Sequence, residues 1–223
     1  MAKKTPRISI NKLGEYCEAN PTRRKQIVAD AKKPVAFKTT RYADVRDAIK
    51  TFFLRGMDYA VIDSTLEHIS AKEATSTYQQ SDQESSIEAL RMLTDSDMTP
   101  FEGFEYIPFE NDHSSLTIGD VIVSVYPDIL LVKKLGEEVH IGAIKIHITK
   151  EKLEAESQKI VAAVLYKYVA EVVTKEGQIA DLSMCFSFDI FSEQIESSPG
   201  AYKRRMQRVE NACEEIALWW DKL

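Results

Sequence analysis

The chain has 223 residues, 44% hydrophobic and 29% charged, a composition that suits one large folded domain or a core with a smaller appendage. No apolar run approaches the ~18–20 residues that span a bilayer, and the basic start "MAKKTPR" leads into no apolar segment, so a cytoplasmic protein without a membrane role is expected. The net charge of −6 is unevenly spread: residues 1–56 hold 14 Lys/Arg against 5 Asp/Glu, the remainder 15 against 30, which excludes a protein that coats nucleic acid over its whole surface.

The first third reads as helical. Ser9 can cap "INKLGEYCEA", where Ile10, Leu13 and Cys17 recur at helical spacing. Asn20 or Thr22 can cap "RRKQIVADAKK", which must stop before Pro34. A third helix runs from Tyr42 through Val45, Ile49 and Phe52 to a C-capping Gly56, and a fourth from about Asp58 into "LEHISAK". The polar string 74–86 is either a linker or, in its later part, the start of the next helix, "QESSIEALRML".

From there the pattern changes. "GFEYIPFE" and "LTIGDVIVSVY" are rich in β-branched and aromatic residues and read as strands around a turn at "NDHSS". "DILLVKK" extends or follows the second strand, and "KLGEE" is the hairpin loop to "EVHIGAIKIHI". A long helix is expected over about 151–174, then a buried strand at "LSMCFSFDIF" and a closing helix over 201–223. The expected fold is therefore mixed α/β: a basic helical region over 1–78, and over 79–223 a core of helix, three antiparallel strands, helix and strand with a C-terminal helix.

Common catalytic signatures are absent: no GxxxxGK[ST], GxGxxG, HExxH or GxSxG occurs. Cys17, Cys185 and Cys213 are odd in number and far apart, which suits buried small hydrophobes, and the four histidines show no metal-ligand spacing. Any chemistry must come from carboxylates and lysines. Within "GAIKIHITK" (142–150), strand alternation puts Ile144, Ile146 and Ile148 on a core face and Ala143, Lys145 and His147 on the other. Asp128, after Pro127 on the preceding strand, can face the same side. A carboxylate and an ammonium there either bind a hard metal ion and steady a phosphate, or form a surface pair contributing about 0–1 kcal/mol.

"YPD" (126–128), a gap of 14 residues and "AIK" (143–145) resemble the PD-(D/E)XK, or restriction-endonuclease-like, nuclease superfamily. The order of elements over 81–191 is similar to that family's core, and "AAVLYKY" (162–168) is similar to the QxxxY helix of its exonuclease branch, with Ala162 where the glutamine belongs. About half the chain is covered. The resemblance implies Mg²⁺ as cofactor, Asp128 and the Ile144 carbonyl as ligands, and Lys145 as the group that positions or activates water. It also implies a glutamate from the first core helix. Glu84 and Glu88 are available, and ~100° per residue puts Glu84 nearer the direction set by Ile87 and Leu90. The departure is Ala143, where the family has an acid. Either Glu154 or Glu156 supplies it, or acid and activity are lost together. The competing readings are an active phosphodiesterase, a catalytically weakened nucleic-acid- or protein-binding module, and a partner protein or homodimer in which the motif is coincidental. Arg23, Arg24, Lys25, Lys32 and Lys33 share one expected helix and form the candidate contact with DNA or RNA phosphates, unless they only solvate it or pair with the acidic part of the molecule.

Overall fold

The structure, a computed structural model, describes residues 5–33, 41–110 and 114–223. A short strand β1 (Arg7–Ser9) runs directly into α1 (Ile10–Glu18), which Ser9 caps by accepting from the Lys12 amide. Asn20 caps α2 (Pro21–Lys32), whose first residue, Pro21, sits where a missing N–H is harmless. Helices α3 (Ala43–Leu54) and α4 (Tyr59–Ala71) flank a tight turn: Gly56 has φ 73°, and Asp58 caps α4. The stop expected at Pro34 and most of the turn at "NDHSS" fall outside the described residues.

The polar string 74–86 belongs mainly to a helix. Ser76 caps α5 (Thr77–Asp95), and its polar first turns are tolerated because Ala89, Leu90 and Leu93 bury its later ones. A 3-10 turn (Thr99–Phe101) leads into β2 (Glu105–Pro108). "LTIGDVIVSVY" is not one strand but a hairpin, β3 (Ser115–Ile118) and β4 (Val121–Ser124), folded about Gly119 at φ 56°. Uniform β-branched composition on both sides concealed the turn. β5 (Ile129–Leu135) and β6 (Glu138–His147) form the expected hairpin. Residues 149–154 are irregular, so α6 (Ala155–Tyr168) starts later than expected and ends in a π turn (Val169–Val173). β7 (Gln178–Asp189), β8 (Gln194–Ser197) and α7 (Tyr202–Lys222) complete the chain. Among the described residues, no helix is long and apolar enough to cross a membrane.

Five strands make a mixed sheet in the order β2-β5-β6-β7-β8, with β6 and β7 parallel and the other neighbours antiparallel. A smaller sheet orders β1-β4-β3, with β1 and β4 parallel. Strand alternation divides the interior in two. Ile129, Leu131, Ile144, Ile146 and Phe188 face a core built with α3, α4 and α5. Leu130, Ala143 and Cys185 face a core shared with α1, α6, α7 and the small sheet. Ile144, Ile146 and Ile148 are at most 2% exposed, as their alternation requires. The helices before residue 78 are thus divided between the two faces of the sheet. On α1, Gly14 permits a close approach to α6: a Cβ there would lie 2.7 Å from the Ser157 carbonyl oxygen.

Candidate functional site

The site begins with a strained turn. Tyr126 has φ 42°, uncommon for a residue with a side chain, and Pro127 follows with its ring-fixed φ. Two hydrogen bonds hold the turn against β6: Lys145 Nζ donates to the Tyr126 carbonyl at 2.6 Å, and the Asp128 amide donates to the Ile144 carbonyl at 2.9 Å. Asp128 and Lys145 thereby meet as expected. Asp128 Oδ2 accepts from Lys145 Nζ at 2.9 Å and from the Ile146 amide at 2.8 Å. Their side chains are only 9% and 12% exposed, so this is not the surface pair of the simpler expectation.

A cleft of about 430 Å³ opens over the pair. Arg46, Lys50 and Leu54 of α3 form one wall, spaced i, i+4, i+8 on a single helix face. Pro108, Phe109 and Tyr126 line the rest. Three cations and one carboxylate therefore line the cleft, and among the described residues no other acid does. Lys145 uses two of its three N–H groups on Tyr126 and Asp128, leaving one for a guest. The arrangement favours an anion.

The four candidate glutamates lie elsewhere. Glu84 is exposed on α5 and accepts from Gln80 at 3.1 Å, while Glu88 pairs with Lys150 at 2.8 Å. Glu154 is exposed before α6. Glu156 is held by Arg205 at 2.9 Å and Arg208 at 3.5 Å, and the Arg205 hydrogen bond keeps its carboxyl below the usual range. None lines the cleft.

These facts bear on Mg²⁺, which takes six oxygens in near-octahedral order. The cleft offers one carboxylate, already shared between an ammonium and an amide, beside the fully buried methyl group of Ala143. The Ile144 carbonyl accepts from the Asp128 amide. Among the described residues, no three His, Cys, Asp or Glu side chains gather for a metal ion. The cleft thus lacks, among the described residues, the second carboxylate that the resemblance implies for Mg²⁺.

The basic residues of α2 have intramolecular roles. Arg23 pairs with Glu15 at 2.6 Å and Glu151 at 3.4 Å. Arg24 binds Glu215 at 3.1 Å and the carbonyls of Tyr16 and Cys17. Lys25 lies 4.7 Å over the Trp219 ring, and Lys32 donates to the Trp220 carbonyl at 2.7 Å. Lys33 is exposed at the helix end. Arg23 and Arg24 thus each meet a glutamate of the acidic part, while Lys25 and Lys32 meet a ring and a carbonyl.

Beyond Lys145, β6 carries a buried polar group. His147 sits 3.2 Å from Asn11 and 2.9 Å from the Glu151 carbonyl, and burial draws its imidazole below the ordinary pKa. Its β7 partner Asp189 is fully buried, and burial pushes its carboxyl up. Asp189 accepts from the Leu153 and Phe191 amides, which holds the loop between β6 and α6.

Sequence reasoning missed Arg46, Lys50 and Tyr126 as cleft residues. Their i, i+4 spacing is the one local signal that Arg46 and Lys50 share a helix face, and it does not say which strand that face meets. Compared with protein-family models and with curated proteins, the sequence has no match.

Proposed function

We propose that the protein is a divergent relative of the PD-(D/E)XK nucleases that binds the phosphate backbone of nucleic acid in the Asp128–Lys145 cleft, without Mg²⁺-dependent hydrolysis. The observation that carries this reading is the convergence of Arg46, Lys50 and Lys145 on one cleft whose only acid, among the described residues, is already paired. The order α5, β2, β5, β6, α6, β7, with β6 and β7 parallel, supports the resemblance to the restriction-endonuclease-like core; β3 and β4 are then an insertion between its first two strands.

Chemically, Arg46 offers a planar fork suited to two phosphate oxygens and Lys50 a mobile point charge. Lys145, fixed at the floor, would add one directed N–H. Asp128 then acts as a positioning residue: it holds the lysine and keeps the floor from carrying an uncompensated buried charge.

The test is binding of labelled DNA and RNA by fluorescence anisotropy at two salt concentrations. Each neutralised phosphate contributes about −0.7 to −0.9 to the log–log salt slope, so Arg46→Gln/Lys50→Gln, which strips two of the three cations from the phosphate site, should flatten it by about 0.7–0.9. A parent protein that fails to bind at low salt, or a variant with an unchanged slope, overturns the reading. So does strand cleavage in Mg²⁺ or Mn²⁺ that Asp128→Ala abolishes.

A further inference from the structure

Tyr126 is placed unlike an ordinary surface tyrosine. It is 53% exposed although it sits at the mouth of a cleft whose floor is nearly closed to water. Its backbone is in the left-handed region just before a proline, and its own carbonyl accepts from Lys145. Such a conformation persists in a bulky residue only where the surroundings enforce it, and it recurs at sites that grip ligands. Among the described residues the ring makes no ring–ring or cation–ring contact. A half-exposed aromatic ring thus stands two residues from the paired carboxylate, on a cleft that three cations also line.

We infer that the cleft takes single-stranded nucleic acid, with one phosphate among Arg46, Lys50 and Lys145 and the adjoining unpaired base stacked on Tyr126. This names the substrate class of the cleft and rests on the backbone-binding reading above. Positive charge that tracks a backbone next to an aromatic platform is how sequence-tolerant single-strand sites are built. Size agrees. About 430 Å³ lies in the range of small-ligand pockets, about 300–1,000 Å³, which admits a phosphate with its nucleoside. In a duplex the bases are paired inside, and one reaches Tyr126 only if it leaves the stack.

Three probes of equal length, about twelve nucleotides, separate the possibilities: a labelled oligothymidylate, its duplex with oligoadenylate, and an abasic strand of the same charge. The parent should bind the single strand about tenfold or more tightly than the duplex. Tyr126→Leu should lose about tenfold on the thymidylate and nothing on the abasic strand, and Tyr126→Phe should keep the parent's affinities. Equal binding of single strand and duplex, or an unchanged Tyr126→Leu, overturns the inference. If Tyr126→Leu does not fold, the parent's preference for thymidylate over the abasic strand decides, and equal affinity is the refuting result. Arg46→Gln/Lys50→Gln distinguishes the two levels. If it weakens all three probes alike while Tyr126 changes nothing, only the single-strand assignment fails. If it binds every probe as the parent does, the backbone-binding reading fails with it.

Discussion

Replacing Lys145 by Met removes the ammonium and leaves the Asp128 carboxylate 8% exposed, with the Ile146 amide as its remaining partner at 2.8 Å. Breaking a buried pair from one side costs about 3–5 kcal/mol, because the charge left behind is neither solvated nor paired. Arg46 and Lys50 line the same cleft and moderate the isolated charge, which puts the expectation near the lower end, ~3 kcal/mol. For a chain of this length 1 kcal/mol shifts Tm by roughly 2–4 °C, so Lys145→Met should melt ~6–12 °C below the parent. Adding Asp128→Asn removes the orphaned charge and keeps an acceptor for the Ile146 amide. The double variant should therefore recover most of the loss and lie within about 1 kcal/mol of the parent. Urea denaturation followed by the fluorescence of Trp219 and Trp220 measures all three proteins, and the cycle isolates the pair. A loss under about 1 kcal/mol for Lys145→Met, the range of an exposed pair, would refute the burial argument. So would a double variant no more stable than the single one.

Gly142→Ala should destabilise by about 1–3 kcal/mol, since its Cβ would come 2.2 Å from the Met184 carbonyl oxygen where β7 bulges past β6; an unchanged Tm would show that the strands are not so close. Because burial lowers the folded-state pKa of His147, its contribution is present above about pH 6.5 and lost as pH falls through the folded value. Between pH 7.5 and 5.5 the parent should lose more stability than His147→Gln, by at most about 1.4 kcal/mol per pH unit for one proton. The raised pKa of Asp189 acts oppositely, favouring the fold as pH falls, and losing the His147 charge raises it further in the variant, which widens the difference; equal losses would refute the assignment. Arg23→Gln/Arg24→Gln/Lys25→Gln should lower stability by about 1 kcal/mol and leave nucleic-acid affinity unchanged, whereas lost affinity at parental stability would return those residues to the binding surface.

What the amino-acid sequence determined was local in origin. The alternation of Ile144, Ile146 and Ile148 with Lys145 specified a strand and its buried face, because side chains in a strand have a period of two whatever the partner. Ser9, Asn20 and Asp58 marked helix starts because a cap acts within three residues of itself. Asp128 and Lys145 could be paired in advance because the short β5–β6 hairpin leaves a narrow choice of register. Tertiary structure decided what depends on the partner. The hairpin of β3 and β4 is richer in β-branched residues than β5, yet it leaves the large sheet to pair with β1, more than a hundred residues earlier. The cations of α2 looked free for phosphates until α1 and α7 supplied Glu15 and Glu215. Arg46 and Lys50 acquired their place only when α3 packed beside β2 and β5 and turned that face over Lys145. Periodicity defines a face, but what that face meets is settled by the packing of elements distant in the chain.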